Sequence, residues 1–326
     1  MITSIALYQG VSHDPYYNLA VEQYLLEHVA EGQCILYLWQ NQNTVVIGRN
    51  QNPWKECRTT LLAEEGGHLA RRLSGGGAVF HDLGNLNFTF LVPQEDYDLS
   101  RQLTVIQEAV RGLGIPAEKS GRNDILADGR KFSGNAFYKH NGKAYHHGTL
   151  LVDVDMQKLG RYLNPSLAKL KAKGVDSVRS RVVNLKELNG DITIETLKQA
   201  LAEAFSRVYD LPLTEIRQEQ LDAAQIHQLA QRNESWEWNF GQKLPFTFSS
   251  EERFLWGCVQ VQLQVENGII HQAKIYSDAM DWQIGAALET ALVGCQFTYD
   301  AIEAQMEHCV CPEDRDTLGL ILRDLQ

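Results

Sequence analysis

Two dipeptides constrain this chain more than any other feature: Asp128-Gly129 and Asn141-Gly142. A two-residue hairpin turn needs positive φ at both central positions, and Asp-Gly and Asn-Gly tolerate that conformation. Set close together, they predict a three-stranded meander of about Asp124 to Ala127, Arg130 to Lys139 and Lys143 to Val154. Helices are available to cover it. Asp14-Pro15 combines a capping side chain with proline at the first helical position, and the helix it starts runs to about Val29. Leu103, Ile106, Val110 and Leu113 fall on one face of a second helix, which Gly114 can stop. A third carries Leu197, Ala200, Leu201, Ala204 and Val208. Further strands are expected at Ser4 to Tyr8, Ile35 to Trp39, Thr44 to Ile47 and Leu86 to Val92.

Past Asp210 the pattern loosens into a polar region, read as a linker, that carries a Trp236-Glu-Trp238 cluster. Beyond Ser250, Val259, Val261, Leu263 and Val265 alternate strictly, Asn267-Gly268 turns the chain, and Ile269 to Tyr276 returns as a strand. The fold class expected is α+β. A large domain with a mixed or antiparallel sheet, 1–249 including the linker, precedes a small α+β domain, 250–326.

Composition narrows the function classes. Apolar and charged fractions of 44% and 22% suit a globular protein, and no apolar run reaches the length of a membrane helix. The N-terminus lacks the basic and apolar segments of a secretory signal. Six cysteines in 326 residues read as reduced thiols rather than a disulfide framework, so a cytoplasmic location is expected. A net charge of −11 argues against binding nucleic acid through a global field.

Against that acidic background, Arg71-Arg72-Leu-Ser-Gly-Gly-Gly-Ala-Val-Phe-His81 stands out. Three adjacent glycines let the backbone approach a ligand and turn N–H groups inward, and the arginines and His81 add positive charge. That suits a phosphate, although the segment is neither a P-loop nor a dinucleotide fingerprint, and a plain flexible turn fits as well. Asp124 and Lys131 lie on neighbouring strands beside one tight turn. A carboxylate can hold Mg²⁺ and an ammonium can neutralise phosphate oxygens; the alternative is an exposed cross-strand ion pair. His146 and His147, adjacent on a strand, must face opposite ways. Lys169, Lys171, Lys173, Arg179 and Arg181 form a basic cluster, either a solvated face or a docking surface.

At these segments the chain resembles the lipoate–protein ligases, in their long bacterial form with a C-terminal accessory domain. The matching stretches include Asn18 to Glu22, Thr44 to Arg49, Gln51 to Cys57, Ala70 to Phe90, Gly121 to Asp124, Lys131 with Ser133-Gly134, His146 to Leu151, Ser177 to Arg181 and Ser235 to Gly241. The resemblance implies the fold of the biotin and lipoate ligases. It implies two reactions: the lipoate carboxylate attacks the α-phosphate of ATP, and a carrier lysine then takes the lipoyl group from lipoyl-AMP. It makes Lys131 the catalytic residue, touching both the lipoyl carbonyl and the α-phosphate. Arg72, Gly75, Gly76, Gly77, Ala78, Val79, Phe80 and Asn85 would bind the nucleotide, and Asp124 would order Mg²⁺. Leu19, Val46 and His147, with Arg72 and Lys131, would hold lipoate. The implied partners are the lipoyl domains of 2-oxoacid dehydrogenase complexes and the glycine-cleavage H protein, met by a monomer.

Two rivals remain open on sequence grounds. An octanoyltransferase of the same superfamily would need an enzyme thiol, and no cysteine lies between Cys57 and Cys258. A non-catalytic lipoate-binding protein would have no use for Lys131 and Asp124.

Overall fold

Side-chain caps set the long helices. Asp14 accepts the N–H groups of Tyr16 (2.8 Å) and Tyr17 and starts α1, Pro15–His28. Asp98 caps the Leu99–Gly112 helix, Thr193 the Ile194–Tyr209 helix and Asp222 the Ala223–Glu234 helix. The hairpin turns form as the sequence requires, with positive φ at Asp128, Gly129, Asn141, Gly142, Asn267 and Gly268. This computed structural model describes residues 1–120, 124–164, 182–241, 247–309 and 311–325. Gly121, Arg122 and Asn123, and the basic cluster Lys169, Lys171, Lys173, Arg179 and Arg181, lie outside the described residues.

The chain forms two units and crosses between them repeatedly. The first contains Met1–Val46, Cys57–Ala70 and Val79–Ser235; the second contains Ile47–Glu56, Arg71–Ala78 and Trp236–Gln326. Two short stretches from the first third of the chain, 47–56 and 71–78, therefore cluster with C-terminal residues.

The first unit is built on an eight-stranded mixed sheet. Its strands are β1 (Ser4–Gln9), β2 (Gln33–Trp39), β6 (Asn85–Pro93), β7 (Ala117–Ser120), β8 (Asp124–Ala127), β9 (Arg130–His140), β10 (Lys143–Leu151) and β11 (Leu213–Glu215). Their order is β11-β1-β2-β6-β10-β9-β8-β7, and only β1 with β11 and β1 with β2 pair in parallel. β3 (Thr44–Ile47), β4 (His68–Arg71) and β5 (Val79–His81) make a separate small sheet, through which the chain passes to the second unit.

The registers assign every side chain of the large sheet to a face, because successive residues alternate. One face carries Ile5, Leu36, Phe88, Phe90, Leu150 and Ile125, buried against the Leu99–Gly112 and Ile194–Tyr209 helices as the main core. The opposite face lies under α1 and is largely polar. One of its rows runs Trp39, Asn87, Thr149, and a second runs Tyr37, Thr89, His147, Ala136.

The second unit has its own core. β12 (Phe248–Arg253), β13 (Cys258–Glu266) and β14 (Ile269–Ser277) form an antiparallel sheet covered by the Ala286–Leu292 and Pro312–Asp324 helices. Val259, Val261, Leu263 and Ile275 pack against Leu288 and Ile321. The α+β expectation holds for each unit.

The polar stretch read as a linker is more ordered than its composition suggests. Leu213–Glu215 adds β11 to the edge of the large sheet through β1, and the Ala223–Glu234 helix packs on α1. Three strand residues and a mostly polar helix leave too weak a hydrophobic period to read.

Candidate functional site

Lys131 reaches its place through a bulge. Asp124 pairs with Gly134 and Ile125 with Ser133, yet Leu126 pairs with Lys131, so Phe132 is the extra residue on β9. Without it, Lys131, three positions from Gly134, would project from the opposite face. With it, the ammonium lies 2.7 Å from Asp124 Oδ1, each side chain about one-third exposed (35%). Phe132 is fully buried in the main core, which anchors the bulge. The backbone is held from the other side, where Val183 N–H donates to Lys131 O at 2.9 Å. Cross-strand pairing of Asp124 with Lys131 is thus what forms, between half-buried groups on the polar face.

Further along that face sits a buried acid–imidazole pair. Glu22 of α1, 1% exposed, accepts the Thr89 hydroxyl at 2.7 Å and lies 2.8 Å from His147 Nδ1. Thr89 in turn accepts the Trp39 indole N–H at 3.1 Å. A carboxylate on Nδ1 fixes the orientation of the ring and directs Nε2 away from α1. Beside this pair runs a chain of buried amides. Asn18 donates to Asn41 (3.0 Å), Asn41 to His81 Nδ1 (3.2 Å), and Asn85 to Asn87 (2.8 Å). Asn85 Oδ1 is buried with no hydrogen-bond partner among the described residues. Leu19 and Val46 are buried in the same unit, Val46 opposite Val79 on the small sheet, while Phe80 packs on Tyr162 at 5.5 Å between ring centres.

The glycine loop belongs to the second unit. There Arg71 spends its donors on backbone: Nε on Trp238 O, Nη1 on the carbonyls of Gly48, Arg49 and Gln51, and Nη2 on Asn239 O. Burial pulls its pKa down to about 10, with the Arg49 charge adding to the effect. Arg71 therefore shapes the loops, where the sequence offered it as a phosphate cation. Arg72 is likewise buried and donates to Gly75 O (2.8 Å), Gly77 O (2.7 Å) and Ser74 Oγ (3.0 Å), curling the loop around its guanidinium. Gly76 has φ +88°, and its N–H donates to Ala279 O at 2.7 Å. A Cβ on Gly75 would stand 2.4 Å from Met280 O, so this backbone runs against the 279–280 backbone. No atom of the described residues lies within 4 Å of a Cβ built on Gly77, and Ala78 follows it to the end of the segment.

The thiols are placed for packing. Burial raises Cys34 and Cys57 to about 12 each, so neither is ionised near neutrality.

Among the expected residues, the structure joins Lys131 to Asp124, puts His147 and Asn85 on the same sheet face, and gathers Arg72 with Gly75, Gly76 and Gly77. Sequence reasoning passed over Glu22, Thr89 and Trp39. Glu22 carried a signal: it lies three residues after Leu19 and four before Leu26, a carboxylate inside an apolar helical stripe. The role of Ala279 and Met280 had no local signal, since it rests on a contact across two hundred residues.

Comparison with known proteins bears on this arrangement directly. The lipoyl protein ligase A/B catalytic domain family matches residues 14–206, and the bacterial lipoate protein ligase C-terminus family matches 243–314. A lipoate-protein ligase A of Psychrobacter cryohalolentis is 43% identical over 302 residues, covering 90% of this chain and 89% of the relative. Among solved structures, P. falciparum LipL1 in complex with lipoate aligns at TM-score 0.82 and 28% identity over 98% of each chain. A lipoate-protein ligase A bound with ATP aligns at TM-score 0.61 and 25% identity over 74% of this chain and 99% of the other. A bipartite ligase of Thermoplasma acidophilum, studied with its E2 lipoyl domain, aligns at 0.63 and 26% over 76% of this chain and 100% of the other. With two family matches in tandem and a relative 43% identical along nearly its whole length, the chain belongs to the lipoate–protein ligase family.

Proposed function

We propose that this ligase activates lipoate with ATP to lipoyl-AMP and passes the lipoyl group to a lysine of a carrier domain. The observation that carries the reading is the Lys131–Asp124 pair, a cation and an anion held together on the polar face of the sheet. Attack of one anion on another needs positive charge at the meeting point. A unit charge about 4 Å from a phosphate is worth on the order of 4 kcal/mol at an effective dielectric of 20. Lys131 is the group assigned to the lipoyl carbonyl and the α-phosphate. Arg72, whose donors hold the carbonyls of Gly75 and Gly77, shapes the segment Gly75 to Ala78 for the nucleotide. Val79 and Phe80 continue it, and Asn85 Oδ1, without a partner among the described residues, is an acceptor suited to a ligand N–H or O–H. Leu19, Val46 and His147 are assigned to the lipoyl chain, with Glu22 holding His147.

The donor set fits Mg²⁺ of the kind that travels with a nucleotide. Magnesium is commonly held by one or two carboxylates plus phosphate oxygens. Asp124 offers one carboxylate, and no cluster of three His, Cys, Asp or Glu side chains occurs among the described residues. Mg²⁺ held there would neutralise phosphate charge beside the Lys131 ammonium.

The mixed anhydride of lipoyl-AMP hydrolyses readily, so the site must exclude water until the carrier arrives. Lipoyl domains of 2-oxoacid dehydrogenases and the glycine-cleavage H protein are the carriers proposed, in the cytoplasm and with a monomeric enzyme. None of the described helices is long and apolar enough to cross a membrane. In sequence order, residues 1–249 are assigned to catalysis and 250–326 to an accessory role. Lipoate-dependent exchange of pyrophosphate into ATP tests the first reaction; its absence with purified, folded protein would overturn the reading.

A further inference from the structure

Gly134 occupies a strand interior, where glycine weakens a sheet because it has no side chain to pack and more freedom to lose. Its backbone gives no reason for glycine, since it is not among the residues with positive φ. Among the described residues, a side chain there has one obstacle close by. A Cβ built on Gly134 stands 2.9 Å from Lys131 Nζ, 3.0 Å from Lys131 Cε and 3.9 Å from Thr149 Oγ1. Gly148, its neighbour on β10, is a contrasting case. A Cβ there would meet Gly134 O at 2.7 Å, Phe88 Cζ at 2.7 Å and Asn135 Oδ1 at 2.8 Å, so the fold itself requires that glycine.

We propose that Gly134 is a positioning residue for Lys131: it leaves bare the patch of sheet across which the lysine side chain lies to reach Asp124. The Phe132 bulge turns Lys131 onto the face of Asp124, and Gly134, paired with Asp124 across β8 and β9, clears the path along it. Each device needs the other. With the bulge alone, a side chain at 134 would push the ammonium away from the carboxylate. With the glycine alone, the lysine would leave from the other face. The Gly134 N–H donates to Thr149 Oγ1 at 3.3 Å, a contact that a methyl group on Cα does not remove.

The consequence for activity rests on the assignment of Lys131 to the chemistry, so the test separates the two. Gly134→Ala, Lys131→Ala and the double variant are compared with the parent full-length chain. Thermal melting checks the fold, and Gly134→Ala is expected to melt at or above the parent temperature. Competitive acylation of amines, read by peptide mass spectrometry, reports the environment of Lys131. Its labelling relative to the other lysines should rise several-fold in Gly134→Ala. Displacing a reacting group by about 1 Å costs roughly 100-fold in rate, so lipoate-dependent pyrophosphate exchange should fall by about that factor. In the Lys131→Ala background the same alanine should change the residual rate by less than about 3-fold, because its effect runs through the lysine. Unchanged labelling of Lys131 in Gly134→Ala overturns the proposal, as do losses that multiply in the double variant. If labelling rises while both single variants keep full exchange, the positioning stands and the chemical role of Lys131 falls.

Discussion

His146 and His147 are neighbours in the chain, yet they occupy different chemical worlds. His146 points into the main core, ringed by Phe88, Phe90 and Phe137, with Asn135 Oδ1 accepting from Nε2 at 2.8 Å. His147 points to the face under α1, where Glu22 holds its Nδ1. The same division runs across the whole sheet. One face is an apolar layer against two helices, interrupted by the His146–Asn135 pair; the other carries amides, hydroxyls, an acid–imidazole pair and the Lys131–Asp124 pair. The apolar face repays the entropy of ordering the chain, which lets the other keep polar groups that are costly to bury. Substitutions on the first face should move stability, and substitutions on the second should move binding and rate.

The largest effect is expected from emptying the apolar face. Phe90→Ala should cost about 3–5 kcal/mol, read as a lower denaturant midpoint, because the void cannot collapse between sheet and helices. Molecules that remain folded should keep normal pyrophosphate exchange per active site. The opposite profile is expected of Lys131→Ala. A surface pair about one-third exposed adds little to stability, so melting should barely change. Lipoate-dependent exchange should fall roughly 100- to 1000-fold, the usual loss for one preorganised charge contact. Comparable losses of stability in the two variants would erase the distinction between the faces.

Glu22 tests the boundary, since it is polar and fully buried. Glu22→Leu would leave Thr89 and His147 without their shared acceptor at a cost of about 1–3 kcal/mol. It should also weaken lipoate binding by calorimetry while leaving ATP binding nearly intact. Equal losses for the two ligands would show Glu22 to be a fold residue only.

The sequence made much of this division legible and hid particular parts. The turn dipeptides set the meander, and α1 was marked by Asp14 and Pro15. The turn and the residue types point to Asp124 and Lys131 without any register, but not to the bulge that joins them, because one extra residue leaves no mark in an apolar pattern. The opposition of His146 and His147 followed from strand alternation alone; which of them faces the core depends on sheet partners. Arg71 and Arg72 are alike as cations in the sequence, and only the fold turns them onto carbonyls. Long-range backbone contacts such as Gly76 with Ala279 have no local signature.

The smallest effect expected is also the most specific to one face, and it concerns pH. Burial, with a further push from His147, lowers the His146 pKa from the usual 6.5 to about 3. The geometry agrees: Nε2 donates to Asn135, and Nδ1 has no partner among the described residues, so a second proton would find no acceptor. A group with a depressed folded pKa favours the folded state fully above its unfolded pKa. That contribution is lost progressively as pH falls below about 6.5, toward completion near 3. Between pH 7.5 and 5.5 the loss amounts to about 1.4 kcal/mol. His146→Gln keeps an amide donor and removes the titration, so urea unfolding of the parent should be steeper in pH than that of the variant over this range. His147→Gln removes a ring on the other face and should leave the part of the slope owed to His146 in place. If His146→Gln follows the parent curve at every pH, the imidazole is not held neutral by the apolar face.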